Sequence, residues 1–401
     1  MAAGALDGIK VVEFSTMVSG PYCGKLLADL GADVIKVEPR EGDPSRDHGP
    51  FPKSRGHPER SALFLYNNTS KRGITLDPDK PEGLEALKRL IKWADVLIDN
   101  HPLQRLEGLG LSWEALSEIN PSLIYTSITP YGRTGPRVNF KGDELTLIHA
   151  GGIGNLMPTR SADISRAPVK MGGYAVSCYG AITAALATMG AFIGRMKTGR
   201  GRLIDISLYQ VIFTMVRVNV AGNRYHGTSW SRVPDRPPAM GRMKTSDGYV
   251  ILGVIENHHF RSLIELMGNP DWVAGDAWDS MWYRIHHVMD IAPMMDGWMA
   301  QQQKDDIHHR AAKKGIAIGP INSVKDVMED EQYAARDYFV EVEHPEAGKY
   351  KYAGWPYKMS ATQPRVGRPA PLLGQHNREV YCDVLGYSPE EFERLKGTGV
   401  I

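Results

Sequence analysis

The stretch Pro168-Val169-Lys170-Met171-Gly172-Gly173-Tyr174-Ala175-Val176-Ser177-Cys178-Tyr179-Gly180, the alanine-rich run after it, and Lys197-Thr198-Gly199-Arg200-Gly201-Arg202-Leu203-Ile204-Asp205-Ile206-Ser207-Leu208 read together as a loop, a buried helix and a strand. Residues 181–193 are nearly all apolar and small, so a helix there packs closely on its neighbours. That run is shorter than the about 20 apolar residues needed to span a bilayer. Arg195 and Lys197 fall in the last turn, where unpaired carbonyls favour cations, and Gly199 stands where a left-handed cap belongs. Ser177 takes the N-cap position, with its hydroxyl placed to accept from the first-turn amides. Position 177 is thus expected to point out of a helix N-terminus into a loop-lined cleft.

Upstream, the first 130 residues alternate strand and helix. Ile9–Phe14 reads as a buried strand, followed by Pro21 at a helix N1 position and a helix to about Leu30. Asp33–Val37 is the next strand. Helix 82–93, strand Val96–Asp99, helix Trp113–Ile119 and strand Leu123–Ile128 follow. This spacing predicts an α/β protein with a doubly wound parallel sheet and ligands at the carboxyl ends of the strands. No G-x-G-x-x-G follows the first strand, so a dinucleotide site is not expected.

The chain has 401 residues, 42% hydrophobic and 23% charged, with a formal charge of +1. That length calls for two domains, and the balanced charge gives no reason to expect nucleic acid or a membrane surface. Cys23, Cys178 and Cys382 lie far apart, and Met1 to Lys10 has no apolar signal core, so a cytoplasmic protein is expected. From about 225 the composition turns rich in Trp, Met and His, marking a smaller α+β domain. Adjacent histidines at 258–259, 286–287 and 308–309 diverge on a helix, so no metal site is expected. The expected division is a large domain at 1–200, a linker at 201–224, a small domain at 225–325, and a return to the large domain at 326–401. Short strands at Tyr338–Glu343 and Tyr350–Ala353 and a final helix from Pro389, capped by Ser388, complete it.

Several stretches together resemble the class III CoA-transferases, the family of formyl-CoA and carnitine CoA-transferases and α-methylacyl-CoA racemases. Leu6-Asp7-Gly8-Ile9-Lys10-Val11-Val12-Glu13-Phe14, Gly20-Pro21 and Leu30 to Glu38 match its first βαβ unit. Asn68-Thr69-Ser70-Lys71-Arg72, Ala94 to Asn100, Asn120-Pro121, Thr198-Gly199-Arg200-Gly201, Gly319-Pro320-Ile321-Asn322, Glu343-His344-Pro345 and Leu373-Gly374-Gln375-His376 continue the match in order. The resemblance implies a large domain built from both chain ends, a small inserted domain, and two protomers interlocked like linked rings.

It also implies a coenzyme A thioester as substrate, with no covalently bound cofactor. Met17, Val18 and Ser19 would cover the nucleotide, Arg40 and Lys141 would meet phosphate, and Leu76 and Asn100 would supply apolar and backbone contacts. An arginine expected before the Leu-Gly turn is Gly108 here, and Arg105 would compensate from the same helical face. In the family an aspartate attacks the acyl thioester to form a mixed anhydride. The released thiolate then attacks the aspartyl carbonyl, leaving coenzyme A on the enzyme as a thioester. The resemblance puts Ser177 at that aspartate. A seryl ester has a single acyl carbon, so thiolate attack on it only regenerates the starting acyl-CoA.

The small-domain loop that is glycine-rich in the family reads Asp235-Arg236-Pro237-Pro238-Ala239-Met240-Gly241-Arg242-Met243 here. The racemases need a histidine where this chain has Asp143-Glu144, which disfavours racemization. Three readings follow. The first is a subunit of a heteromeric CoA-transferase, completed by a homologue that carries the aspartate in an interlocked heterodimer or heterotetramer. The succinyl-CoA:benzylsuccinate transferases of anaerobic aromatic degradation are similar to it, and Trp230, Trp282 and Tyr283 would suit an aromatic acid. The second is a homodimeric acyl-CoA isomerase or hydrolase using Asp143 or Glu144 as acid or base. The third is a non-catalytic acyl-CoA-binding homologue.

Overall fold

A computed structural model describes residues 4–52, 56–161, 163–234, 240–254 and 256–401. It divides into two compact units, one made of Met1–Met157, Pro168–Ser231 and Tyr338–Ile401, the other of Pro158–Ala167 and Arg232–Asp337.

The first unit begins with β1 (Lys10–Phe14), α1 (Ser19–Ala28), β2 (Asp33–Glu38), α2 (Ala62–Asn67), β3 (Arg72–Thr75), α3 (Pro81–Trp93), β4 (Val96–Asp99), α4 (Trp113–Ile119) and β5 (Ile124–Thr129). Then come α5 (Glu144–Ala150), α6 (Ala175–Thr198), β6 (Arg202–Ser207), α7 (Leu208–Thr214) and α8 (Arg217–His226). The six strands form one parallel sheet in the order β3-β2-β1-β4-β5-β6. Strands covered on both faces read as near-continuous apolar runs, and alternate residues feed two cores. Val11, Val34, Ile98 and Ile124 face the core shared with α1 and α6; Val12, Ile35, Leu97 and Tyr125 face the core that also holds residues of α3 and the C-terminus. The strand order reverses between β1 and β4, which sets a crevice at their carboxyl ends.

Four expectations are corrected here. α6 begins at Ala175 with Tyr174 as N-cap, so Ser177 is its third residue and caps nothing. At 24 residues, α6 is long and apolar enough to cross a membrane by length and composition, unlike the shorter run expected. Its buried face (Val176, Gly180, Ala181, Ala184, Thr188, Ala191) packs on α1 and the sheet, while Tyr179, Ile182, Leu186, Ile193 and Met196 are exposed. Residues 201–224 are no linker, because β6 pairs along its whole length with β5. α1 starts at Ser19, which puts Pro21 at the third helical position. The Thr-Gly-Arg-Gly turn behaves as read: Gly199 takes φ +68°, and a Cβ on Gly201 would fall 1.9 Å from the Leu123 carbonyl.

The second unit holds an antiparallel sheet of β7 (Met240–Lys244), β8 (Tyr249–Gly253) and β9 (Ile318–Pro320), in the order β9-β8-β7. With it go α9 (Asn257–Leu266), α10 (Met281–Met299) and α11 (Lys304–Lys313), which bury Phe260, Leu263, Ile291, Met295 and Ile307 with Val250 and Leu252. Of the expected loop at 235–243, residues 235–239 lie outside the described residues, and Met240 to Met243 are strand. The histidine pairs lie on α9, α10 and α11, with His308 bonded through Nδ1 to the Ile318 carbonyl and His286 in tilted ring contact with Trp282. Among the described residues, no cluster of three metal-ligating side chains exists.

The chain then returns to the first unit through the hairpin β10 (Phe339–His344) and β11 (Gly348–Ala353), and ends in α12 (Pro389–Gly397). Ser388 and Glu391 form a capping box on α12. The last residues close over β3. His376 Nδ1 accepts from the Gly73 amide at 3.0 Å, Asn377 Oδ1 accepts from the Thr75 amide at 2.9 Å, and the Tyr381 hydroxyl donates to the Thr75 carbonyl at 2.8 Å.

Candidate functional site

The loop after β1 is held from beneath by buried charge. Lys36, on β2, donates to Glu13 at 3.1 Å, to Asp43 at 2.8 Å and to the Ser15 carbonyl at 3.1 Å, while Lys71 lies 2.6 Å from the other Glu13 oxygen. Asp43 accepts from the amides of Met17 at 3.0 Å and Ser45 at 2.8 Å. That support matters because Met17 sits at φ +63°, a left-handed conformation costly for a side-chain-bearing residue. Burial opposes the ionisation of Asp43, but the Lys36 ammonium and the two amides outweigh it and hold its carboxyl at about 2. A carboxyl depressed in the folded state contributes stability that is lost as pH falls through its folded value. Asp43→Asn is therefore expected to cost on the order of 2 kcal/mol at neutral pH. In urea melts it should also flatten the loss of stability between about pH 4 and about pH 2.

Asn100, just past β4, ties the crevice together. Its side chain accepts from the Thr16 amide at 2.9 Å and donates to the Thr16 carbonyl at 2.7 Å and to Ser19 Oγ at 3.0 Å. Met17, Val18, Ser19 and Asn100 therefore meet at the switch point. Val18 and Ser19 are themselves buried, and Leu76 is buried in the core just past β3. Arg40 is exposed next to the C-terminus, where a Cβ on Gly399 would lie 2.8 Å from its Nη1 and 3.3 Å from Lys80 Nζ. Lys80 and Asp43 had no signal in the sequence, because the partners that make them relevant come from residues 398–399 and from the left-handed loop. Arg105 does not stand ready for phosphate: it forks onto Asp79 at 2.5 and 3.0 Å and holds that carboxyl below its usual range. The pair is solvent-exposed and so worth at most about 1 kcal/mol. Lys141 is exposed and makes no ion pair among the described residues.

At the start of α6 the capping group comes from elsewhere. Glu144 accepts from the amides of Val176 at 3.0 Å and Ser177 at 2.8 Å, placing its carboxylate on the positive end of the helix. Asp143 caps its own helix, α5, in a box with Thr146. Both acids of the expected acid/base pair thus serve helix termini. The Ser177 side chain is half-buried, and no imidazole hydrogen-bonds to it among the described residues. Beside it, burial pushes the Cys178 thiol up to about 11, with the Glu144 carboxylate adding to the shift. Trp230 belongs to the first unit; in the second, on α10, Trp282 lies against His286 with the rings tilted by 55°, and Tyr283 stacks on His287.

Residues 6–377 match CoA-transferase family III. The succinyl-CoA–D-citramalate CoA-transferase of Chloroflexus aurantiacus is 29% identical over 407 residues, covering 99% of this chain and 98% of its own. The beta subunit of succinyl-CoA–L-malate CoA-transferase from the same organism is 30% identical over 408 residues, again covering 99% and 98%. Among solved structures, a CaiB/BaiF family protein from Brucella suis superposes with a TM-score of 0.85 at 31% identity, over 96% of this chain and 100% of that one. From the crevice at β1 and β4 to the strand pairing of β6, the chain carries one family's fold almost end to end: it belongs to CoA-transferase family III, whose chemistry moves coenzyme A from an acyl thioester to a free carboxylic acid.

Proposed function

We propose that this chain is one subunit of a heteromeric class III CoA-transferase that moves coenzyme A from succinyl-CoA to a second carboxylic acid. The nucleophilic aspartate is supplied by a homologous partner. The observation that carries this reading is Ser177 in the first turn of α6, at the position where the family resemblance puts a carboxylate. Without that carboxylate the mixed anhydride and the enzyme-bound thioester cannot form at this position. Succinyl-CoA as donor is supported by the names of both Chloroflexus relatives, and a heteromer by one of them being a beta subunit. The exposed apolar face of α6, together with α8, which buries no residue, offers the area a stable partner needs.

The test is to assay the chain alone and after co-expression with an aspartate-bearing homologue, with succinyl-CoA as donor. We expect no transfer from the isolated chain and transfer from the co-purified pair. Activity should vanish when the partner's aspartate is replaced and stay within about twofold when Ser177 becomes Ala. Full transfer by the isolated chain overturns the reading.

A further inference from the structure

An apolar cavity of about 410 Å³ lies in the first unit between α2 and the β10–β11 hairpin. Its walls include Phe51, Leu65, Tyr66, Tyr350 and Tyr352, and Arg60 stands at its edge. The volume falls within the range of about 300–1,000 Å³ typical of small-molecule sites, and the lining has the usual character of many apolar groups and few polar ones.

Two observations say what it takes. The aromatic walls form a cluster of rings already packed on one another: Tyr66 and Tyr352 have centroids 6.2 Å apart and tilted by 50°, and Tyr66 lies 6.2 Å from Tyr22 on α1. Rings at such distances and tilts accept a further ring edge-on or offset, which an alkyl chain does not exploit. The second observation is Arg60. Its Nη2 makes only a long, exposed contact of 3.3 Å with Glu346, while its Nε is buried with no hydrogen-bond partner among the described residues. A buried N–H lacking an acceptor is an unfavourable arrangement that a ligand carboxylate relieves, and the guanidinium fork suits that group. Beside the cavity, α1 packs directly on α6, and the Cys178 thiol adds to the rise that burial gives the Tyr22 and Tyr66 phenols.

We propose that this cavity seats an aryl-substituted carboxylic acid, with its ring among Phe51, Tyr66, Tyr350 and Tyr352 and its carboxylate on Arg60. As the seat of the acid that accepts coenzyme A, the cavity rests on the transferase reading above. As a binding site it does not, and the two are measured separately.

The test uses the full-length chain, alone and co-purified with its partner, with 3-phenylpropionate as probe, hexanoate as the alkyl control and 3-phenylpropan-1-ol as the uncharged one. Calorimetry is expected to show 3-phenylpropionate binding at least about fivefold more tightly than either control. Ala353→Trp, which fills the cavity, and Tyr350→Ala, at an exposed strand position, should each weaken the probe about tenfold or more. Arg60→Gln should weaken the acid about fivefold and leave the alcohol unchanged. Equal binding of hexanoate, indifference to all three variants, competition by coenzyme A itself, or a partner side chain filling the cavity in the assembled enzyme each overturn the proposal. Normal succinyl-CoA transfer without probe binding sinks only the cavity. Probe binding with no transfer by any pairing sinks only the transferase reading.

Discussion

Ser177→Asp is expected to give the isolated chain the covalent step it lacks. Incubated with succinyl-CoA, the variant should become labelled with coenzyme A through a bond that hydroxylamine cleaves, at a rate about 10³-fold or more above the unmodified chain, the scale on which a lost nucleophile costs an enzyme. Little else has to change. Position 177 already lies in the first turn of α6 with its amide bonded to Glu144 at 2.8 Å, and the loop after β1, where the family resemblance puts coenzyme A, is tied to Asn100 and Asp43. A second carboxylate beside Glu144 sits on the positive end of a helix, which tempers their repulsion. A well-folded variant that takes no label would show that this chain has also lost its contacts to coenzyme A, and that the whole reaction belongs to the partner.

Glu13→Ala is expected to be the most damaging single change to stability. Glu13 is fully buried between Lys36 and Lys71, and removing it leaves the buried Lys71 ammonium with no carboxylate and Lys36 with Asp43 alone. Breaking a buried pair in this way costs about 3–5 kcal/mol, a third or more of what many domains possess. Glu341→Ala, which breaks an exposed pair with Lys349, should leave the same urea melts almost unchanged. The Glu13 defect should also shrink as pH rises. Burial pulls the Lys71 ammonium down to about 8, against 10.5 for an unperturbed lysine, although Glu13 supports the charge. Without that support the folded variant releases the Lys71 proton at a lower pH than the unchanged protein does, so the gap between the two narrows as pH rises toward about 8 and is constant above it. A Glu13→Ala loss as small as that of Glu341→Ala would mean that water or a shifted side chain reaches the two lysines.

The parallel strands, the helices between them and the turn at Gly199 and Gly201 were legible because each is written locally, in an apolar run or a residue with a particular φ. Ser388 was read correctly as a cap for the same reason, since its partner Glu391 is three residues on. Ser177 was misread because the group that caps α6 is Glu144, 33 positions earlier, and a serine near a helix start looks the same whether or not its oxygen is used. Residues 201–224 looked like a linker because β6 is an edge strand whose Arg202 and Asp205 are exposed, which weakens its apolar signal. Arg105 was legible as a cation but not as one already held by Asp79. The aromatic cavity was invisible, because Phe51 and Tyr66 meet Tyr350 and Tyr352 only across some 300 residues of chain.

The closure of β3 by residues 376–381 has a consequence for how the molecule is made. During synthesis the first βαβ units leave the ribosome long before the segment that pairs with Gly73 and Thr75, about 300 residues downstream, exists. Until then β3 offers an open parallel edge beside strands with apolar faces, the kind of surface on which nascent chains associate wrongly. That edge can therefore be covered only once residues 376–381 have been made. Loss of the last thirty residues would act less as a trimmed tail than as a permanently unfinished fold, held in the state that chaperones bind.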